Sequence, residues 1–219
     1  MGREGRHQDH CRRRPRATGL VDFPSKSPQS DAHVDAGRVQ QKRRFMRTPE
    51  PFGQVGQSDS DALRFVINHH AAKRLHFDLR LEWNGVLLSG AVPEGPSLHP
   101  KNKRLAIRTE DYPLDYLGFE GTIPKDEYGA GALRIWDRGT WVPIDEDPQA
   151  AFDAGEVKFR LACERLAGGW MLKKLPDGEK PGLLIKERDP SVVKGHQIDA
   201  APLTSRRLAR LVICPNAGR

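Results

Sequence analysis

The sequence is poor in cysteine and in tyrosine, and it contains no long apolar run. Its three cysteines, Cys11, Cys163 and Cys214, are odd in number, far apart and form no Cys-x-x-Cys pair. That spacing excludes a disulfide framework and a thiolate zinc site. No stretch approaches the ~18 consecutive apolar residues of a membrane helix, and no apolar segment follows the amino-terminal arginines as it would in a signal peptide. The expectation is a cytoplasmic protein with no membrane partner. The 219 residues provide for one domain of ordinary size plus tails.

Basic residues outnumber acidic ones only at the two ends. Residues 1 to 50 hold 12 Lys/Arg against 6 Asp/Glu, and residues 200 to 219 hold four Arg and no acid, so of the formal +7 the middle of the chain carries −3. The high isoelectric point belongs to the tails, and net charge does not make the central domain a nucleic-acid binder. Residues 1 to 41 are rich in Arg, Gln, Asp, Ser, Gly and Pro without apolar periodicity, and are expected to be a disordered basic tail. The run Arg12-Arg13-Arg14-Pro15-Arg16 is either a salt-sensitive contact for DNA phosphates or a solvated tail. The domain is expected over 42–196, with a second basic tail over 197–219.

Residues 75 to 82, Leu-His-Phe-Asp-Leu-Arg-Leu-Glu, alternate apolar and polar without a break. In a β-strand, residues i and i+2 share a face about 7 Å apart. Leu75, Phe77, Leu79 and Leu81 then turn to a core, while His76, Asp78, Arg80 and Glu82 face outward together. Residues 63 to 70 form another strand, and the short Ala-Ala-Lys-Arg connection folds the two into a hairpin that brings His70 towards His76 and Asp78. Two imidazoles and a carboxylate leave several positions open on a divalent metal and suit manganese or iron(II), with zinc also accepted. Arg80 adds a planar cation suited to a phosphate ester. The plainer reading of the same alternation is the wet face of a half-buried strand.

From 60 to 190 glycines punctuate short segments, among them Val86 to Ser89, Arg104 to Arg108, Ala132 to Trp136 and Gly182 to Lys186. Turn signals at this spacing predict a mainly β fold: a compact antiparallel barrel, closed or partly closed, with one or two short helices, one of them over Pro148 to Gly155, and disordered termini. Gly129-Ala130-Gly131 is too little for a phosphate loop, because a strand pattern and not a helix follows it.

The phrases Lys42-Arg43-Arg44-Phe45, Thr48-Pro49-Glu50-Pro51, Phe65-Val66-Ile67 through His70, and Leu75-His76-Phe77-Asp78-Leu79-Arg80-Leu81-Glu82 occur in one order with several more. These are Val92-Pro93, Gly95-Pro96-Ser97-Leu98, Pro113-Leu114-Asp115-Tyr116, Phe119-Glu120-Gly121-Thr122-Ile123-Pro124, Tyr128-Gly129-Ala130-Gly131 and Trp136-Asp137-Arg138-Gly139. In this series the stretch 42 to 195 resembles the 3′-phosphoesterase module of bacterial ligase D, the multidomain enzyme of non-homologous DNA end joining, and its stand-alone forms. The resemblance implies a β-barrel whose pocket binds a divalent metal, preferably manganese. It also implies trimming of DNA or RNA 3′ ends by removal of a terminal ribonucleoside and then of the exposed 3′-phosphate. Separate ligase, polymerase or Ku-type end-joining proteins are the implied partners. His70, His76 and Asp78 fall on the family's metal ligands. Asn68 falls on a position usually held by Gln, Arg80 and Arg104 on phosphate-contacting arginines, and Tyr116 on a tyrosine of the site. Arg43 and Glu50 fall on polar residues of an amino-terminal segment that folds over the pocket.

The chain departs from that pattern at four places expected around one pocket, and Asp126 also replaces a usual turn glycine. Tyr112 stands where the family usually has His, Glu94 where a base is common, Gly90 where Trp is common, and Arg44 where Asp is usual. A phenol titrates near pH ~10 and bears no positive charge, so Tyr112 donates a hydrogen bond but does not replace an imidazolium. Two readings stand at this point. One is a metal-dependent phosphoesterase in which Tyr112 and Tyr116 orient the ester or sugar, weakened by these changes. The other is a non-catalytic module of the same fold that docks DNA ends or a repair partner. A small-molecule metallohydrolase is a third, distinguished by turnover of free nucleotides.

Overall fold

The computed structural model describes residues 48–51, 62–176 and 180–193. The expected tails, 1–41 and 197–219, and Arg43 and Arg44 lie outside the described residues.

The first two strands are the hairpin read from the alternation. β1 (Arg64–Ala71) pairs antiparallel with β2 (Leu75–Trp83), with His70 opposite His76 and Asn68 opposite Asp78. β3 (Val86–Val92) follows across a turn at Asn84 and Gly85, both at positive φ, then β4 (Arg104–Arg108) and a 3₁₀ turn at Leu114–Gly118. β5 (Gly121–Ile123), β6 (Gly131–Pro143), a helix α1 (Pro148–Ala154), β7 (Glu156–Cys163), β8 (Gly168–Lys174) and β9 (Pro181–Lys186) complete the order. Every pairing is antiparallel, in the order β1-β2-β3-β4-β9-β8-β7-β6, and β6 returns to pair with β1. Eight strands thus close a barrel. β5 lies outside the ring on the first residues of β6.

The helix forms where expected, for local reasons. Asp147 caps it by accepting from the Ala150 amide at 3.0 Å, Pro148 occupies its first turn, and Gly155 ends it at φ 76°.

Side chains of alternate residues on each strand fill the barrel. Phe65, Ile67, Phe77, Leu79, Leu81, Trp136, Trp141, Phe159 and Trp170 are all buried in one cluster. Removing a side chain of this size from water contributes about 2–3 kcal/mol. Two expectations fail here. Leu75 does not join the core: it begins β2 and is 47% exposed. The polar face of β2 is not wet either, since Arg80 and Glu82 are fully buried. A second apolar cluster lies over that face, built from Leu87, Tyr112, Tyr116, Phe119, Ile123 and Leu133. The chain from Tyr112 to Ile123 therefore roofs the outer wall of the barrel over β1 and β2. Glu82 is taken up by Arg64, whose amide and guanidinium both donate to its carboxylate at 2.7–3.2 Å.

Among the described residues no helix is long and apolar enough to cross a membrane.

The loop before β6 has to pass close to the end of β1. Gly131 sits at φ +144°, and a Cβ there would lie 2.6 Å from the Ala71 carbonyl oxygen. Both the backbone conformation and the contact require glycine. Gly131→Ala is expected to cost about 2 kcal/mol, read as a lowered midpoint in denaturant or thermal unfolding. An unchanged midpoint would mean that the loop does not need this close approach.

Candidate metal centre and its cavity

Register alone sets the three ligand candidates on one face. Residues directly opposite in an antiparallel pair hold their Cβ atoms about 5 Å apart, and the diagonal neighbour remains within reach. His70 faces His76 directly and Asp78 diagonally; their imidazole centroids are 4.5 Å apart. One nitrogen of each imidazole and one oxygen of Asp78 lie within 4.8 Å of one another. A slip of one residue would send all of these side chains to the opposite face. His69 shows that outcome: it points to the inner face, edge-on to Phe77.

Backbone carbonyls fix both histidine tautomers. His70 Nε2 lies 3.1 Å from the Gly129 carbonyl and His76 Nδ1 lies 2.9 Å from that of Arg74. A carbonyl only accepts, so those nitrogens carry the protons. The remaining nitrogens, His70 Nδ1 and His76 Nε2, each lie 3.4 Å from an oxygen of Asp78. His70 Nδ1 is buried and has no hydrogen-bond partner. Two lone pairs and a carboxylate that converge in this way fit a divalent cation, and the carbonyl contacts are the usual outer support of ligating histidines. Burial would raise the Asp78 pKa, but the two imidazoles and the Arg80 charge outweigh it and hold the carboxyl well below the usual carboxylate range. The His76 pKa is raised by its contact with Asp78, against the opposing effect of burial.

Arg80 stands next along the same face and is held on three sides. Its Nη1 donates to Asn68 Oδ1 at 2.6 Å, its Nη2 lies 3.3 Å from Asp78 Oδ2, and its guanidinium carbon stands 4.5 Å from the Tyr112 ring centroid and 5.6 Å from that of Tyr116. Asn68 is itself anchored, donating to the Phe119 carbonyl at 3.4 Å. The result is a planar cation with little freedom to turn, beside the metal candidates.

These groups open into a cavity of about 240 Å³, whose wall includes Glu50, His70, His76, Asp78, Arg80 and Tyr112. Asn68 and Tyr116 are fully buried behind that wall. Asn68 braces Arg80, and the Tyr116 hydroxyl donates to Glu50 Oε1 at 3.3 Å. The structure does not bring Arg104 to the cavity: it lies on β4 with its guanidinium paired to Glu94. Of the four departures from the family pattern, Tyr112 alone among the described residues lines the cavity. Gly90 sits between the two cavity residues Ser89 and Ala91 on β3 and so faces the barrel interior. The expectation that these departures gather around one pocket is corrected accordingly.

Sequence reasoning missed Glu110 and Tyr128, which also line the cavity, and the carbonyl of Gly129 that fixes the His70 tautomer. The quoted phrase Tyr128-Gly129-Ala130-Gly131 contained the signal, since its glycines mark a close backbone approach.

Residues 68–174 match the family model of the DNA Ligase D 3′-phosphoesterase domain. The chain is 45% identical over 171 residues to the multifunctional non-homologous end joining protein LigD of Pseudomonas aeruginosa, covering 69% of this chain and 20% of that protein. It is 42% identical over 137 residues to the corresponding DNA repair protein of Mycobacterium tuberculosis, covering 62% and 18%, and 50% identical over 131 residues to that of Mycolicibacterium smegmatis, covering 58% and 17%. The chain spans about a fifth of the length of these relatives.

Asp78→Asn removes the charged donor between the two imidazoles. Affinity for a divalent cation, titrated calorimetrically, is expected to fall by more than about 100-fold, beyond the loss usual for an outer-shell change. Undiminished affinity would place the cation elsewhere.

Proposed function

Residues 68–174 form a module of the DNA ligase D 3′-phosphoesterase family, and from that premise we propose that this protein hydrolyses phosphate esters at DNA or RNA 3′ ends. The proposed reactions are removal of a terminal 3′-ribonucleoside and removal of a 3′-phosphate, in the service of end-joining repair. The observation that carries the reading is the convergence of His70 Nδ1, His76 Nε2 and Asp78 beside a fixed Arg80 on one cavity wall.

His70, His76 and Asp78 would hold the cation. Manganese is the ion the family resemblance favours, although two nitrogens and a carboxylate also accept iron(II), cobalt(II) or zinc. A divalent cation at this place supplies Lewis-acid polarisation of a phosphoryl oxygen. The chain's own part is preorganisation. Arg80, braced by Asn68 and stacked under Tyr112, presents a fixed fork to phosphate oxygens and needs little reorganisation as charge develops on them. Glu50, held by the Tyr116 hydroxyl, closes the cavity from the amino-terminal side. Tyr112 donates a hydrogen bond to the ester or the terminal sugar. Arg43 belongs to the same proposal through the resemblance alone, and Arg104 would reach a phosphate only by leaving Glu94. DNA ends are the proposed substrate, and separate ligase, polymerase or Ku-type proteins the proposed partners.

A second reading is favoured by one observation: Tyr112 stands in the cavity where the family resemblance leads one to expect an imidazole. Loss of a general acid costs about 10² to 10⁴ in rate. In this reading the module binds ends without turning them over.

Incubation with manganese and a 5′-labelled primer-template, ending in a 3′-phosphate or in a single 3′-ribonucleotide, tests the first reading. Dephosphorylated and shortened products are expected, lost with chelator and in His76→Ala. Undiminished product from His76→Ala would overturn it. Tyr112→His separates the two readings. A gain of about 10² or more over measurable wild-type turnover is expected for a weakened enzyme, whereas activity seen only in Tyr112→His would identify the natural protein as the binding form.

A further inference from the structure

The chain has three tyrosines. Tyr112 and Tyr116 are buried, at 6% and 0% exposure, whereas Tyr128 is 50% exposed. Among the described large hydrophobic side chains that stand exposed, Tyr128 is the one aromatic, and it is also the one that lines the cavity holding His70, His76, Asp78 and Arg80. Its surface therefore meets solvent at the rim of the site rather than on an arbitrary face.

The backbone around Tyr128 is fixed. The Glu127 amide donates to the Pro124 carbonyl and the Ala130 amide to the Glu127 carbonyl, each at 3.1 Å, giving two successive turns on either side of the residue. Gly129 follows at φ 77°, and its carbonyl accepts from His70 Nε2 at 3.1 Å. Gly131 then pins the loop against Ala71. The tyrosine is thus one residue from a direct backbone contact to a candidate metal ligand, and that contact holds its backbone at the cavity rim.

A half-exposed ring at the rim of a cavity that holds two imidazoles, a carboxylate and a guanidinium suits one kind of neighbour, the flat face of a nucleobase. Base–aromatic stacking is tolerant of base identity, because every base has a π-face. We propose that Tyr128 is a specificity residue that stacks on the base of the 3′-terminal nucleoside, the leaving group when a terminal ribonucleoside is removed. The inference rests on the phosphoesterase reading and adds to it. Recognition of a ribonucleoside-ended strand uses the base as well as the phosphate, whereas a strand ending in a 3′-phosphate has no nucleoside beyond the phosphorus to stack.

The test uses binding, so that it does not depend on turnover. Primer-templates carry a terminal linkage in which a P–C bond replaces the scissile P–O bond, and end either in a complete ribonucleoside or in an abasic ribose. Anisotropy in manganese is read with the full-length protein and with Tyr128→Ala, Tyr128→Phe and Tyr128→Leu. The native protein should bind the base-bearing end about tenfold more tightly than the abasic end. Tyr128→Phe should keep that ratio, and Tyr128→Ala and Tyr128→Leu should bring it close to one. Equal affinity of the native protein for the two ends, or a ratio retained in Tyr128→Ala or Tyr128→Leu, would overturn the proposal. A ratio that behaves as expected in a protein that hydrolyses neither cleavable end would leave base stacking standing and remove only the catalytic reading.

Discussion

The Asp78 carboxylate is the point on which the site depends. It is reached by both imidazoles and by Arg80. A buried carboxylate is unfavourable without such company, and a buried arginine likewise. Each group is therefore tolerated because the others are present. The arrangement leaves two imidazole lone pairs directed at a carboxylate. That geometry is poor for a metal-free protein and good for one that holds a cation.

The barrel supplies the rigidity that this arrangement needs. β1 is paired on both sides, with β2 and with β6, and its register against β6 shifts between Ile67 and Asn68, where the ladder is bulged. Such a bulge increases the local twist and re-aims the side chains beyond it. The extra residue here is Trp136 on β6, which is buried in the core, while β1 keeps an unbroken register with β2 through Asn68 and His70. Placement on two central strands holds ligands more accurately than loops would. Towards the two histidines the described loops contribute the backbone carbonyls of Gly129 and Arg74, which set the tautomers.

The charge balance of the cavity bears on its chemistry. Arg80 is committed to the site by Asn68 and Asp78, whereas Arg104 is committed elsewhere by Glu94. In the proposed reaction one fixed guanidinium among the described residues, together with a divalent cation, would carry the neutralisation of a bound phosphate. Tyr112 adds an aromatic face over Arg80 and a hydroxyl, but no positive charge near neutral pH. Tyr112, one of the residues that hold Arg80 in place, is thus also the residue on which the two proposed readings differ.

How much of this was legible in the sequence follows from the range of the forces involved. The alternation from Leu75 to Glu82 and the short connection before it determined the hairpin and the grouping of His70, His76 and Asp78, because strand periodicity and hairpin length are local properties. The helix was equally legible, from an Asp-Pro start and a glycine end. Local pattern did not reveal that the polar face of β2 is roofed, since the covering residues come from the chain between Tyr112 and Ile123, far along the sequence. Nor did it separate the residues on the cavity wall from Asn68 and Tyr116 behind it, or turn Arg104 away towards Glu94. Those distinctions rest on contacts between strands and loops distant in sequence, and only closure of the barrel brings them together.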